Sequence, residues 1–383
     1  MGFAEEVLVR AKKLNKKVVL PETEDERTLH AADQLAKEQI CRVVLVGVPD
    51  QVKADARKCG ADVSRCEILS PLDEKVSGPL AEKLWQYRKD KGLTQDQARE
   101  LIKDYLYFGT MLLKEGIVDG YVAGATHTTG DNLRPGLQII KATPGLKTVS
   151  TFFIMVHPSP KFGENGVMLY ADCAMVETPT AEQLADIAVA SARSWRQLIG
   201  TEPRAAMLSY STKGSAKSAD TERVLRALEL AKKIDPQLCI DGEMQFDAAV
   251  IPSIGESKAK GSPVAGKANV FIFPDLDAGN IGYKITQRLG GAQAIGPLVQ
   301  GMAKPAHDLS RGCSADDIVK VSAMAALMAS LPPGTARARR LSTLAQSSRI
   351  PVSSRCGRTG IPHGCHSASV ACLVCPPGKK NPF

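Results

Sequence analysis

The chain has 383 residues, 44% hydrophobic and 23% charged, which suits a globular protein with room for two domains. Its net charge of +8 has a single source: residues 331–383 hold eight arginines and lysines and no acid, while the rest carries 41 charges of each sign. A balanced body gives no electrostatic case for nucleic-acid binding, and no run approaches the roughly 20 apolar residues of a membrane helix.

The N-terminus, MGFAEEVLVRAKK, has acids where a signal peptide has its apolar core. Glu6 stands where a myristoylation motif needs Ser or Thr. A cytoplasmic protein is expected, and the scattered Cys41, Cys59, Cys66, Cys173, Cys239 and Cys313 suit reduced thiols. KKVVLPE (16–22) reads as a strand ending at an acid pair, followed by an amphipathic helix, DERTLHAADQLAKE (25–38). CRVVLVG (41–47) and DGYVAGA (119–125) are further strands, the second leading through HTTGDN to a helix-like LRPGLQIIK. RAAMLSYS (204–211) is a strand joined by TKGSAKSA to the helix DTERVLRALELAKK. LCIDGEM (238–244) and NVFIFPDLDAGN (269–280) read as strands, the latter followed by IGYKITQRL.

This alternation predicts an α/β protein with mainly parallel sheets, whose ligands bind beyond the carboxyl ends of strands. Turn chemistry at ATPGLKTV (142–149) marks a hinge, and GGAQAIGP (290–297) a return crossing. The expected domains are 1–145 with 298–330, and 146–297. Residues 331–383, rich in Arg, Ser, Pro and Cys, read as a disordered tail of the kind a frame-shifted or read-through end would give. Its Cys-x-x-Cys at 372–375 is matched only by the wide pair Cys356 and Cys365, so no metal site is expected there.

Four loops hold candidate chemistry. In HTTGD (127–131), Thr128, Thr129 and the Gly130 amide are placed to cradle an anion, with Arg134 about one turn on; the plain alternative is a helix capped by Asp131. STKGSAKS (211–218) lacks the P-loop pattern, and a flexible loop capped by Ser218 or Asp220 is preferred. Glu243 and Asp247 lie one turn apart if DGEMQFDAAV is helical, with no third ligand for a metal, so a structural or substrate-positioning use is favoured. In HDLSRGCSADD (307–317), Ser314 and Asp317 form a capping box for a helix over 315–329, which leaves Ser310, Arg311 and Cys313 unexplained.

Together, DGYVAGATHTTGDNLRPGLQIIK, LSYSTKGSAKS, DGEMQFDAA, FPDLDAGNIGYKITQRLGG and GMAKPAHDLSRGCSADDIV resemble the short form of the phosphate acetyltransferase family, from near residue 1 to about 329. The resemblance implies two α/β/α domains around a cleft, a fold like that of isocitrate and isopropylmalate dehydrogenases, and a homodimer. It implies acetyl transfer between coenzyme A and phosphate, with coenzyme A as substrate and no cofactor. Position by position, Asp317 matches the family's proposed base for the thiol, Ser310 a serine beside the reacting groups, and Arg311 an arginine at the phosphate or transition state. Arg134, Arg88 and Arg288 match arginines for coenzyme A or phosphate.

Moving a proton from a thiol near pKa 8.5 to a carboxylate near 3.9 costs roughly 6 kcal/mol. Asp317 therefore needs help, and Arg311 with the helix terminus is the available source. Cys313 or Cys173 as an acyl-carrying nucleophile is the rival mechanism, against a plain reading of both as buried small residues. Rival functions are phosphate butyryltransferase, a nicotinamide-dependent dehydrogenase of the same fold, for which no fingerprint is found, and a non-catalytic binding module.

Overall fold

Two sheets organise residues 2–330, the part of the chain that the computed structural model describes. In chain order their strands are β1 (Lys17–Leu20), β2 (Arg42–Val46), β3 (Glu67–Leu69), β4 (Gly120–Ala123), β5 (Ser150–Val156), β6 (Val167–Ala171), β7 (Arg204–Leu208), β8 (Cys239–Met244), β9 (Val270–Ile272), β10 (Gln293–Gln300) and β11 (Ala306–Asp308). The first sheet has the order β11-β4-β1-β2-β3 and is parallel throughout. The second has the order β10-β5-β6-β9-β7-β8; only β5 breaks the parallel pattern, running antiparallel to β6 and β10. The expected α/β class with mainly parallel sheets is the one found. The reading of residues 331–383 lies outside the described residues.

The parallel strands are apolar on both faces because helices cover both. Val18, Val19 and Leu20 are buried in succession, as are Val43 to Val46. The helix Glu26–Lys37 shows Leu29, Ala32 and Leu35 to the core and starts where the Asp25 side chain accepts from the Arg27 amide. The helix Ala315–Met328 is buried along most of its length. It lies on β4, where the absent side chain of Gly120 leaves room for Ala325, and it also packs against the helix Ala181–Leu198 of the second half. One apolar helix thus joins the two halves. No helix among the described residues is long and apolar enough to cross a membrane.

The chain passes between the sheets twice, and the two crossings are bonded to each other. The Thr143 amide donates to Gly301 O at 2.7 Å and the Ala303 amide to Lys141 O at 3.0 Å, while the Thr143 hydroxyl donates to Met302 O at 2.8 Å.

Three local readings are corrected. GGAQAIGP does not form the return crossing; it opens β10, and the crossing follows Gln300. Gly and Pro are tolerated there because β10 is an edge strand with a register shift between Ile295 and Leu298. NVFIFPDLDAGN is a strand only to Ile272, because Asp275 caps the helix Leu276–Arg288 by accepting from the Ala278 amide. Glu243 and Asp247 do not share a helical turn: Glu243 lies in β8, one residue before its end, and Asp247 lies on the short helix Phe246–Val250, paired with Lys258.

Candidate active site

The first sheet runs from β1 outward through β2 to β3, then returns to β4 and β11 on the other side. A crevice therefore opens beyond the carboxyl ends of β1 and β4, where the strand order reverses. Glu22, just past β1, fills its floor and is 1% exposed. Its carboxylate accepts from the amides of Gly124 (2.8 Å), Ala125 (2.7 Å), Thr126 (3.1 Å) and His127 (3.1 Å). The Thr126 hydroxyl at 3.0 Å and the His127 Nδ1 at 2.8 Å complete the shell. Burial pushes this carboxyl up, but the His127 ring and the amides outweigh it and hold the group below its ordinary value. The site is therefore built on a buried, ionised carboxylate.

Arg27 joins this turn to the next loop. Its Nη2 donates to Ala125 O at 2.9 Å, and its Nη1 to Arg311 O at 2.8 Å and Cys313 O at 2.9 Å. Asp25 holds the guanidinium through Nε and Nη2 at 2.9 and 2.6 Å. Hydrogen bonding to Arg27 in turn keeps the Asp25 carboxyl low.

Asp308 closes the other side, at the end of β11 and 4% exposed. Its Oδ1 accepts from Asn132 Nδ2 at 2.8 Å, and Asn132 Oδ1 accepts from the Tyr121 hydroxyl at 2.6 Å. Burial pushes the Asp308 carboxyl up; hydrogen bonds from Asn132 and Thr129 oppose this, and the nearby Glu22 charge adds to the rise. Gly124 must be glycine: its φ is +107°, and a Cβ would sit 2.5 Å from Asp308 Oδ1 and 2.6 Å from Leu309 N.

The residues singled out by sequence fall around this frame as follows. Ser310 and Arg311 are exposed on the loop between β11 and the helix Ala315–Met328, with the Gly312 amide donating to Ser310 Oγ at 3.3 Å. Asp317 is the capping-box partner: its Oδ2 accepts from Ser314 N at 2.9 Å and Ser314 Oγ at 2.8 Å. The helix Thr129–Pro135 is capped by Thr128, not by Asp131, which takes the third helical position and bonds back to the Thr128 hydroxyl at 2.7 Å. Thr129, Gly130 and Arg134 line a groove of about 450 Å³ with Leu133, Gln138 and, from the second half, Met175. The loop bearing Met175 is held by Asp172, which accepts from the amides of Ala174 and Val176 at 2.9 and 3.0 Å. Arg134 pairs with Asp131 at 3.4 Å.

Arg88 ends the helix Glu74–Arg88. Burial raises the Tyr107 phenol; the Arg134 charge opposes this, Asp104 adds to the rise and Arg88 opposes it, so both guanidinium groups lie within electrostatic reach of this side chain. Arg288 is on the last turn of the helix Leu276–Arg288, in the second half, within electrostatic reach of Tyr283. A second cavity, about 490 Å³, lies at the amino end of β4 near Asp119 and Lys304 and includes none of these residues.

The two cysteines are poor nucleophiles. Burial pushes Cys313 to about 11, which the Arg27 charge only partly offsets, and Cys173 well above its ordinary value. STKGSAKS closes on Glu243, whose Oε1 accepts from Ser211 Oγ and Gly214 N at 2.8 Å each; Ser218 caps the helix that follows. Among the described residues no group of three or more His, Cys, Asp or Glu is placed to hold a metal.

Glu22→Gln tests the floor of the site. One acceptor oxygen cannot serve all six donors, and a loss of about 2 kcal/mol is expected by urea unfolding at pH 7. Because the folded carboxyl titrates below 4.5, its contribution is complete above that value and is lost as pH falls through the lower folded one. The difference between wild type and variant should therefore shrink in acid; a difference independent of pH would contradict an ionised Glu22.

Residues 2–326 match the family model described as Phosphate acetyl/butaryl transferase. The phosphate acetyltransferase of Thermoanaerobacterium thermosaccharolyticum is 52% identical over 329 residues, covering 86% of this chain and 100% of that protein. That of Acetivibrio thermocellus is 51% identical over 329 residues, covering 86% of this chain and 98% of its own. Among solved structures, the EutD phosphotransacetylase from Staphylococcus aureus superposes with a TM-score of 0.79 at 44% identity, covering 85% of this chain and 99% of that one. With almost the whole described region matched in both sequence and fold, the chain belongs to the phosphate acetyl/butaryl transferase family.

Proposed function

We propose that the chain catalyses the reversible transfer of an acetyl group between acetyl phosphate and coenzyme A, by direct attack of the thiolate within a ternary complex. Relatives at 51% and 52% identity that carry the name phosphate acetyltransferase are the observation on which this reading rests. The geometry supports it. Asn132, on the helix whose Thr129 and Arg134 line the groove, donates to Asp308, two residues before Ser310, so the loop of the exposed serine adjoins the helix of the groove.

In this reading the thiolate forms the S–C bond, the C–O bond to phosphate breaks, and phosphate leaves as an anion. Arg134, Arg88 and Arg311 hold phosphate charge, and the Ser310 hydroxyl donates to the developing oxyanion. Arg288 would meet the charged periphery of coenzyme A. Asp317, tied to Ser314 at the helix start, takes the thiol proton, with Arg311 and the helix terminus stabilising the thiolate. Coenzyme A is a substrate, and no resident cofactor takes part. The raised thiols of Cys313 and Cys173 count against an acyl-enzyme route.

A homodimer in the cytoplasm completes the reading. Free thiols at Cys41, Cys59, Cys66, Cys173, Cys239 and Cys313 favour a reducing compartment, which cell fractionation would check. Ile281 (57% exposed), Ile285 (53%) and Leu289 (85%) recur every fourth residue along one face of the helix Leu276–Arg288 and its cap, a stripe suited to a second copy.

Acetyl, propionyl and butyryl phosphate should each be assayed for coenzyme A-dependent thioester formation. Acetyl-CoA should form fastest; a preference for butyryl phosphate would favour the butyryltransferase alternative, and no thioester from any donor would sink the reading. Arg311→Ala and Asp317→Asn act on one loop, so the double variant should be no slower than the poorer single one. Additive losses would show them to be independent. Light scattering should give a dimer for the wild type and a monomer for Ile285→Lys with Leu289→Lys; a monomeric wild type would remove the dimer.

A further inference from the structure

We propose that Asn132 is a positioning residue for the transfer: its buried amide, held between Tyr121 and Asp308, sets the spacing of the helix that carries Thr129 and Arg134 against the loop that carries Ser310 and Arg311. This rests on the acyl-transfer reading above, in which the two elements act on one reacting centre.

The two elements are held by different means. The Leu309 amide donates to Ala123 O at 2.7 Å, which extends the β4–β11 ladder to the start of the loop, and Arg27 grips the far end through Arg311 O and Cys313 O. The helix Thr129–Pro135 is seven residues long and is capped by its own Thr128. Asn132, which is 2% exposed, ties it to β11. Asn132 Nδ2 donates to Asp308 Oδ1 at 2.8 Å and, at 3.4 Å, to His307 O. Asn132 Oδ1 accepts from the Tyr121 hydroxyl at 2.6 Å. Tyr121 lies on β4 in register with Ala306 of β11, so the sheet that carries the loop holds the amide from both sides. Asp308 is itself pressed against the Gly124 turn, where no Cβ would fit, so the amide bonds to a fixed partner.

The position calls for an amide. Burial, with the charges of Glu22, Asp104 and Asp308, keeps the Tyr121 phenol well above its ordinary value, so it is protonated and donates. The side chain at 132 must accept on that side and donate to Asp308 on the other. A leucine would leave a buried hydroxyl and a buried carboxyl without partners, and an aspartate would set a second carboxyl against Asp308. The titratable and charged groups within reach of this cluster are Asp308 and His307 on β11, Tyr121 on β4, Glu22 after β1 and Asp104 before the helix Tyr105–Lys114, with Asp131 and Arg134 on the helix of Asn132 itself.

The phosphate that Arg134 holds leaves the same carbon that the thiolate attacks beside Ser310 and Arg311. A misplacement of about 1 Å costs such a step about 10²-fold. Slack between helix and loop therefore costs turnover, while each element still binds its own part of the substrates.

Asn132→Asp keeps the shape and removes the donor. Its carboxyl can rebuild the bond to Asp308 only when the pair shares a proton, which burial and mutual repulsion move above the ordinary carboxyl range. At pH 8 kcat should fall about 10²-fold. KM for acetyl phosphate and for coenzyme A should each stay within about threefold of wild type. The deficit should narrow as pH falls to about 5.5, with circular dichroism showing both proteins folded at each pH. His307 stays neutral across this range because burial pushes it down to about 3, and Glu22 stays ionised. Tyr121→Phe frees the other side of the amide and should lower kcat about tenfold, again at unchanged KM; combined with Asn132→Asp it should add nothing. A loss that appears in KM, a deficit under about threefold at pH 8, or one that stays constant with pH in the folded variant overturns the proposal. If Asn132→Asp does not fold, Tyr121→Phe decides: a wild-type kcat overturns it. A wild type that forms no acetyl-CoA would fail the acyl-transfer reading itself, whereas an active wild type equalled by Asn132→Asp at pH 8 fails only this proposal.

Discussion

The site depends on one buried charge. An isolated carboxylate in an apolar interior is costly, and Glu22 escapes that cost because six donors from the segment 124–127 converge on it. The turn after β4 has no regular hydrogen-bond partners of its own, so the carboxylate that needs donors and the amides that need an acceptor satisfy each other. From that exchange follow the φ of Gly124, the presentation of the His127 ring, and the Ala125 carbonyl on which Arg27 rests. Arg27 then passes the constraint to the loop after β11.

The same device recurs across the molecule. Asp172 gathers the amides of Ala174 and Val176 and so presents Met175 to the groove. Asp186 accepts from Lys147 N and Thr148 N beside the crossing between the sheets. Glu243 closes the loop after β7. Each of these acids is buried, and each binds a loop that leaves or approaches a strand end. Apolar packing sets the layers, and buried carboxylates set the loops between them.

This division explains what could be read from the sequence. β1, β2 and β4 were legible because their apolar runs are short, rich in valine and ended by Pro or Gly, and β7 because its short apolar run stops at a polar loop. The cap at Ser314 was legible because both partners lie within four residues. β10 was misread as a crossing because its Gly-Pro pair is a breaker in most settings and is harmless at an irregular edge. Glu243 and Asp247 were paired by spacing that holds only within one helix, and a strand end intervenes. Ser310, Arg311 and Asp317 came from family resemblance. The supporting groups did not: Glu22 and its loop lie about 100 residues apart, and Arg27 reaches more than 280 residues along the chain. No local period encodes such pairs. The acid pair that ends KKVVLPE, and a lone Asp308 before LSRG, were the only local marks they left.

Arg27 grips the loop after β11 through carbonyl oxygens, those of Arg311 and Cys313, and touches little of their side chains. The shape of that loop is thereby uncoupled from the identity of the residues it displays. A change of side chain at 311 leaves the grip in place, whereas a change at 27 releases the loop whatever it carries. Variation is thus easiest on the loop itself, and the freedom to vary there is conferred by an arginine whose guanidinium is engaged by Asp25 and by main-chain carbonyls.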